Sequence, residues 1–190
     1  MFEIIPPEHP LRPGAEAVIR AAFLRDHGAV LADLPRLLVA EHDGGVIRCA
    51  ASLRFAADGF FSERYLDAPV EQLVTRHAGI RAMRGDLAEV GSLAAARPGA
   101  VCPLVGGIIT LLRRQGVRWA FFTATARLRT LLRRADIPLI ELAAADAARI
   151  THAERWGGYY RQDPRVMLVG DYMVAAPFPP ACPPERLRHA

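Results

Sequence analysis

Apolar and polar residues follow two different periods along the first third of the chain. Between residues 14 and 24 the apolar positions recur every three or four residues, which predicts an amphipathic helix. Residues 36–56 contain two strand-like runs that meet at Asp43-Gly44-Gly45, where a positive φ costs little, and they predict a β-hairpin. In its second strand one face is formed by Ile47, Cys49, Ala51, Leu53 and Phe55, and the other by Arg48, Ser52 and Arg54.

The rest of the chain alternates between helical and strand patterns. The apolar spacing over residues 70–77 predicts a helix that begins near Asp67 and Pro69, with Asp67 as its cap. Strands are predicted over residues 86–95, 117–125, 137–143 and 165–174, and further helices over residues 101–116, 126–136 and 146–157. A hairpin followed by such an alternation predicts an α/β or α+β domain, in which helices flank a mixed sheet.

Length and charge bound the organisation of the chain. Its 190 residues fit one domain, which we expect over residues 1–175, followed by a flexible proline-rich tail over 176–190. The net charge of +4 comes from arginine, because the sequence contains no lysine. Together with the high alanine content, this bias is more typical of genomic composition than of nucleic-acid binding, so we expect no nucleic-acid partner.

Several other features narrow the class of protein. No run of about 18 uncharged apolar residues exists, so we expect no stable membrane insertion. The first 14 residues contain an early acid and several prolines, which are not typical of a secretory signal. The three cysteines lie at no metal-like spacing, which disfavours both a disulfide framework and a zinc site. We therefore expect a cytoplasmic protein without a metal.

Arginines accumulate on the outer faces of two predicted helices. In the helix over 126–136 the apolar side chains Leu128, Leu131, Leu132 and Ala135 are expected inside, and Arg127, Arg129, Arg133 and Arg134 outside. Arg113 and Arg114 close the preceding helix. Such arginines most often form a solvated helix face, and contact with an acidic partner is the alternative interpretation.

The junction between the strand over 86–95 and the next helix is suited to an anion. The turn Arg97-Pro98-Gly99-Ala100 leads into the helix, whose first N–H groups and positive dipole end face outwards. Phosphate is the ligand that fits these features, although a plain tight connection would show the same local pattern. Neither a Walker sequence nor a G-x-G-x-x-G dinucleotide sequence is present.

The order of elements resembles the GNAT-type N-acyltransferase fold. In that fold the corresponding turn holds the pyrophosphate of coenzyme A, and two parallel strands splay apart to admit the thioester. This resemblance implies that the cofactor is bound by Leu93, Arg97, Gly99, Ala100 and Val101. Because Pro98 removes one N–H donor from the turn, either acyl-coenzyme A or an acyl-carrier protein fits as the thioester donor.

Residues 54–181 are also similar to the thermostable haemolysin family of bacteria. The blocks "FFSERYLDAPVEQLV", "EVGSLAA", "GVRWAFFTATARLRTLLRRADIPLIELAAAD" and "WGGYYRQDPRVMLVGD" carry this resemblance. The family name records a lytic phenotype rather than a reaction. Its sequences resemble acyl-homoserine-lactone synthases, and "EVGSLAA" is similar to the Glu-x-Ser strand of those enzymes. The resemblance implies transfer of an acyl group from a thioester to a small amine or amino-acid-like acceptor.

Acyl transfer to an amine requires a base, a donor to the thioester oxygen and an acid for the leaving thiolate. Glu89 is the candidate base or amine-orienting group, although an ordinary paired glutamate is the alternative. A backbone N–H near Ser92 or Leu93 is the candidate oxyanion donor. Tyr159 is the candidate acid, with Tyr160 beside it, although tyrosines beside Trp156 and two glycines more often serve in packing.

The substrate side of the site is assigned to the polar segment "SERYLD" and to the exit of the strand over 117–125. The candidates are Glu63, Tyr65, Thr123 and Thr125. Phe55, Phe60 and Phe61 line an acyl channel in this interpretation, and belong to the core in the simpler one. A membrane-active haemolysin and a non-catalytic acyl-binding module are the alternative functions, and a homodimer through the edge strand of the hairpin is a further expectation.

Overall fold

The strands in the described part of the chain lie in one open sheet. The computed structural model describes residues 1–96 and 101–170. The strands are β1 (Phe2–Ile5), β2 (Leu37–Asp43), β3 (Val46–Phe55), β4 (Leu87–Ala95), β5 (Trp119–Ala124), β6 (Ile140–Ala144) and β7 (Arg165–Gly170). Their spatial order is β1-β2-β3-β4-β5-β7-β6. Neighbours are antiparallel except β4 and β5, which are parallel.

Helices cover both faces of this sheet. They are α1 (Arg12–His27), α2 (Val70–Ala78), α3 (Val101–Arg114) and α4 (Ala126–Arg134). Helices α3 and α4 pack on one face, with Ala88 and Phe122 among their contacts. Helices α1 and α2 pack on the other, against Leu38 and Phe121 respectively. The mixed sheet flanked by helices confirms the fold class predicted from the sequence.

The hairpin forms as predicted, but its second strand is not simply amphipathic. Glu41 pairs with Cys49 and His42 pairs with Ile47, so Arg48 is an extra residue in β3. This bulge turns Ile47 towards α1, whereas Cys49 faces α3, so the prediction that both share a face is wrong. Ser52 is buried on the α1 face, because helices cover both sides of the strand.

The cap of α2 differs from the prediction. Asp67 does not cap the helix: it forms an ion pair with Arg149 instead. The backbone N–H of Val70 donates to Glu63 Oε1 at 3.0 Å. The chain folds back through a short 3-10 turn at Ser62–Tyr65, and this turn places Glu63 at the helix start.

The helix predicted over residues 146–157 is wrong. This segment contains two 3-10 turns, Ala147–Arg149 and Ala153–Trp156, with His152 between them at a φ of 61°. Ile150 and Trp156 pack against the core from these turns. Tertiary contacts of the connection between β6 and β7 therefore override a weak helical period.

Arg129 is also placed differently from the prediction. Its side chain was expected in solvent, but the residue is only 8% exposed. Its guanidinium donates to the carbonyl oxygens of Ala124 and Asp163 and to the carboxylate of Asp163. Arg133 and Arg134 are exposed, as predicted. The predicted tail over residues 176–190 lies outside the described residues.

Candidate functional site

The parallel strands β4 and β5 part midway along their length. Their register joins Leu87 to Trp119, Ala88 to Ala120 and Glu89 to Phe121, and no later pair joins them in the described part of either strand. Strand β4 nevertheless continues to Ala95, and β5 continues beside β7 to Ala124. The two strands therefore leave a wedge between them that begins immediately after Glu89.

A β-bulge shapes the β4 side of this wedge. Gly91 pairs with Ser52 and Ala94 pairs with Ala50, so Ser92 and Leu93 together oppose one residue of β3. Ser92 has a φ of 49°, which is uncommon for a residue other than glycine. A Cβ at position 91 would lie 2.8 Å from Ser52 Oγ, so glycine permits the close strand contact before the bulge. A bulge of this kind re-aims backbone groups next to a site.

The carboxylate of Glu89 is buried where the strands part. The residue is 3% exposed. Its Oε2 accepts from the backbone N–H of Phe61 at 2.6 Å, and its Oε1 accepts from the N–H and the hydroxyl of Ser62 at 2.8 and 2.6 Å. Glu89 therefore holds the loop at residues 61–62 against the sheet.

Two opposing effects act on the charge of Glu89. Its burial disfavours the carboxylate, whereas the hydrogen bonds from Ser62 and Phe61 and the positive charge of Arg54 favour it. Burial is the larger effect, so the pKa of Glu89 lies above the ordinary range for glutamate. A buried carboxylate with a raised pKa is a stronger proton acceptor than an ordinary glutamate.

The hydroxyl of Ser62 connects Glu89 to the end of β5. Ser62 Oγ lies 2.8 Å from Thr123 Oγ1. Ser62 is 2% exposed, whereas Thr123 is half-buried. A chain of three polar groups thus runs from the buried carboxylate to the rim of the wedge.

Aromatic side chains close the α1 side of the site. The Tyr159 ring stacks on Phe23 at a centroid distance of 6.3 Å and contacts Trp156 at 5.4 Å. The Tyr159 hydroxyl donates to the backbone oxygen of Thr123 at 3.4 Å, a long hydrogen bond. Burial raises the pKa of Tyr159, so its hydroxyl keeps its proton at neutral pH.

A glycine turn fixes the position of these aromatic residues. The backbone N–H of Gly158 donates to the carbonyl oxygen of His27 at 2.6 Å. Gly157 has a φ of 54°, and a Cβ there would overlap the same oxygen. Glycine is therefore required where the turn meets the end of α1. Burial lowers the pKa of His27, which contacts the Tyr159 ring, so this histidine is neutral.

Two predicted substrate residues have structural partners. Glu63 accepts from Arg84 at 2.7 and 2.8 Å in addition to capping α2, and Arg84 lowers the pKa of Glu63. Tyr65 is 2% exposed and its hydroxyl pairs with that of Tyr160 at 2.9 Å. Both side chains are therefore held by neighbouring groups of the protein.

Three of the remaining predicted residues lie in described elements that border the wedge. Thr125 caps α4 by accepting from the N–H of Leu128 at 3.4 Å. Leu93 lies in the bulge of β4, and Val101 begins α3. Arg97, Gly99 and Ala100 lie outside the described residues. The structure thus brings Glu89, Thr123 and Tyr159 together.

Ser62 was missed at the sequence level. It opens the polar segment "SERYLD", from which only the larger side chains were selected as candidates. Glu89 follows 27 residues later, and no periodicity links the two positions. Phe60 lies in the core, where its ring contacts Phe121 at 5.0 Å, and Phe61 packs on Trp156 at 5.6 Å.

The described residues contain neither a metal-ligand cluster nor a membrane-spanning helix. Residues 1–96 and 101–170 contain no cluster of three His, Cys, Asp or Glu side chains that could hold a metal ion. Within the same ranges, every helix is too short or too polar to cross a membrane.

Solved structures share this architecture at low sequence identity. FeeM, an N-acyl amino acid synthase from uncultured soil microbes, has a TM-score of 0.59 at 15% identity, with 90% of this chain and 95% of FeeM covered. TofI in an apo form has a TM-score of 0.61 at 14% identity, with 90% and 91% covered. MesI, a CoA-dependent acyl-homoserine lactone synthase, has a TM-score of 0.55 at 16% identity, with 90% and 89% covered. These likenesses establish the fold as the GNAT-like acyltransferase fold predicted from the sequence.

Comparison at the sequence level gives the family. No curated protein matches the chain. The family model described as thermostable hemolysin matches residues 5–173. The protein therefore belongs to the thermostable hemolysin family.

Proposed function

We propose that this protein is an acyltransferase that moves an acyl group from an acyl thioester to a small amine or amino-acid-like acceptor. The observation that carries the proposal is the wedge between β4 and β5, with the buried carboxyl of Glu89 at the point where the strands part. An extended thioester can enter between two parted strands and present its carbonyl to the backbone of β4. The fold likeness to FeeM and MesI agrees with this chemistry.

Each catalytic requirement has a candidate at the wedge. Glu89 is the base, because its raised pKa suits acceptance of a proton that reaches it through hydrogen bonds. Backbone N–H groups near Ser92 and Leu93, in the bulge, stabilise the thioester oxygen as it gains charge. Tyr159 is assigned to protonate the leaving thiolate because its hydroxyl lies at the end of β5, where the thiolate departs.

Two thioester donors are compatible with the proposed site. The turn with Arg97, Gly99, Ala100 and Val101 is the proposed phosphate site, and it serves either acyl-coenzyme A or the phosphopantetheine of an acyl-carrier protein. The reaction forms the C–N bond of the amide and breaks the C–S bond of the thioester. The nitrogen loses one proton and the thiolate gains one, so charge is balanced.

Thermal unfolding tests donor binding directly. The protein is heated with coenzyme A, a short acyl-coenzyme A, a long one and an acyl-carrier protein. At a concentration about 100 times the dissociation constant, a ligand of the folded state adds about 2.7 kcal/mol. For a chain of this size this corresponds to a rise of about 5–10 °C in Tm. A rise with one acyl length supports the proposal, and no rise with any donor contradicts it.

The family name makes membrane lysis the competing function. Purified protein is therefore added to dye-filled liposomes in the absence of any thioester. We expect no leakage from an acyltransferase. Leakage under these conditions would favour a membrane-active protein over the proposed enzyme.

A further inference from the structure

Three side chains at the wedge form a chain of hydrogen bonds. Ser62 Oγ lies 2.6 Å from Glu89 Oε1 and 2.8 Å from Thr123 Oγ1. Glu89 and Ser62 are 3% and 2% exposed, so a substrate cannot touch either group in this arrangement. Thr123 is the half-buried member, and it stands at the end of β5 beside the wedge. Any substrate group therefore meets the chain at Thr123.

The hydrogens of this chain have a fixed direction. An ionised carboxylate can only accept, so the hydroxyl of Ser62 donates its single hydrogen to Glu89. The contact between Ser62 and Thr123 then requires the hydroxyl of Thr123 to donate to Ser62 Oγ. Thr123 Oγ1 consequently presents an acceptor lone pair to the next group, which must bring a hydrogen of its own.

We infer that Thr123 and Ser62 form a relay that carries a proton from the attacking nucleophile to Glu89, and that its direction requires an acceptor that carries a hydrogen on the attacking atom. This inference rests on the proposed acyl transfer. Thr123 is the residue that touches the acceptor, and Ser62 acts through Thr123 as a positioning and relay residue.

The proton transfers balance in this sequence. As the amine nitrogen forms its bond to the thioester carbon, its proton moves to Thr123 Oγ1. The hydroxyl hydrogen of Thr123 moves to Ser62 Oγ, and that of Ser62 moves to Glu89 Oε1. Both hydroxyls end neutral and Glu89 ends protonated. The thiolate that leaves takes a proton from Tyr159, and before the next turnover the Tyr159 phenolate regains a proton and Glu89 releases one, both exchanged with solvent.

Two charged or titratable side chains in the described part of the protein act on the same region as Glu89. Arg54, which is paired with Glu89 across β3 and β4, favours the carboxylate. Tyr65 is buried nearby, and Glu89 is one of the groups that raise the pKa of Tyr65. Neither residue contacts Ser62 or Thr123 through a hydrogen bond that the structure describes.

Steady-state kinetics test the relay. Ser62→Ala and Thr123→Val remove one hydroxyl each, and Thr123→Ser restores the hydroxyl without the methyl group. We expect kcat/KM to fall about 100-fold in each removal variant and to recover in Thr123→Ser. Thr130→Val, which removes an exposed hydroxyl on α4, is the matched control and keeps its activity.

The double variant Ser62→Ala/Thr123→Val distinguishes a relay from two independent contacts. Residues that act as a unit are not additive, so the double variant should lose no more than Ser62→Ala alone. A loss of about 10,000-fold, the product of the single effects, would overturn the relay. Unchanged turnover in Ser62→Ala would do the same.

A second measurement does not depend on turnover. The pKa of Glu89 is followed by carbon NMR of the labelled side-chain carboxyl in the wild type and in Thr123→Val. If Thr123 donates to Ser62, its removal weakens the donor to Glu89 and the pKa rises. A fall would mean that Ser62 had donated to Thr123, and an unchanged pKa would mean that the contact carries no hydrogen bond; either result overturns the relay. A rise in a protein that transfers no acyl group would refute the proposed function while retaining the hydrogen-bond direction.

Discussion

Loss of the hydroxyl should reduce turnover at Tyr159 and reduce stability at the adjacent Tyr160. Tyr159→Phe removes only a long hydrogen bond of 3.4 Å to a backbone oxygen, while the ring keeps its stacking on Phe23. The expected loss of unfolding free energy is about 0.5 kcal/mol, at the low end for such bonds. If Tyr159 protonates the leaving thiolate, kcat/KM falls about 100-fold or more.

Tyr160→Phe removes the partner of a buried group. The hydroxyl of Tyr65 lies 2.9 Å from that of Tyr160, and Tyr65 is 2% exposed. An unsatisfied buried hydroxyl costs about 1–3 kcal/mol. For a chain of this length we expect a fall in Tm of about 3–10 °C. We expect kcat/KM to change far less than in Tyr159→Phe.

Both variants are compared in two measurements. Thermal unfolding gives their stability, and release of free thiol from an acyl thioester gives their turnover. The account requires Tyr159→Phe to be nearly as stable as the wild type and strongly impaired, and Tyr160→Phe to be less stable and active. If Tyr159→Phe retains its turnover, Tyr159 is not the acid. If Tyr159→Phe loses stability as Tyr160→Phe does, then the 3.4 Å contact is a stronger bond than the geometry indicates.

Three further predictions concern stability. Arg129→Leu leaves buried carbonyl oxygens without a donor and should lower the free energy of unfolding, measured by chemical denaturation, by about 2–3 kcal/mol. Arg133→Ala, on the exposed face, should change it by less than about 0.5 kcal/mol. Equal effects would contradict the burial of Arg129. Gly157→Ala should lower Tm more than Gly79→Ala, because both have positive φ but only the first overlaps backbone; the reverse order would contradict the described turn. Because burial raises the pKa of Glu89, the folded state binds that proton more tightly than the unfolded chain does. The stability of the wild type relative to Glu89→Gln should therefore be greatest below the ordinary glutamate range and decline as pH rises through the folded-state pKa. An increase with pH would show that the hydrogen bonds outweigh burial.

Short-range patterns were sufficient to predict most of the sheet. Alternation and the Asp43-Gly44-Gly45 turn predicted the hairpin, and long apolar runs predicted β4, β5 and β7. The strand β1, only four residues long, was not predicted because its pairing with β2 involves residues about 35 positions away. A short edge strand of this kind has no periodicity of its own.

Side chains that satisfy distant backbone groups were the hardest to predict. Arg129 follows the outer face of α4 in the sequence pattern, yet it is buried because Ala124 and Asp163 offer it acceptors. The helix start at Val70 is capped by Glu63 rather than by the nearer Asp67, since the intervening chain turns back on itself.

Only part of the candidate site was predicted, because one of its residues depends on a distant contact. Glu89 could be selected because it lies on the strand that leads into the anion-suited turn, and Thr123 because it lies near the end of an apolar strand. Ser62 could not, because its role depends on a loop that reaches across the sheet to Glu89. The role of a polar residue in an irregular segment depends on tertiary contacts, and a local sequence pattern does not predict these contacts.

Detection of an N-acylated product is the most direct test of the central claim. Purified wild type and Glu89→Gln are incubated with acyl-coenzyme A or acyl-carrier protein and a set of small amines and amino acids, and the products are analysed by mass spectrometry. The account predicts an amide from the wild type and about 100-fold less from Glu89→Gln. No amide from any donor and acceptor, or equal amounts from both proteins, would contradict acyl transfer at the wedge between β4 and β5.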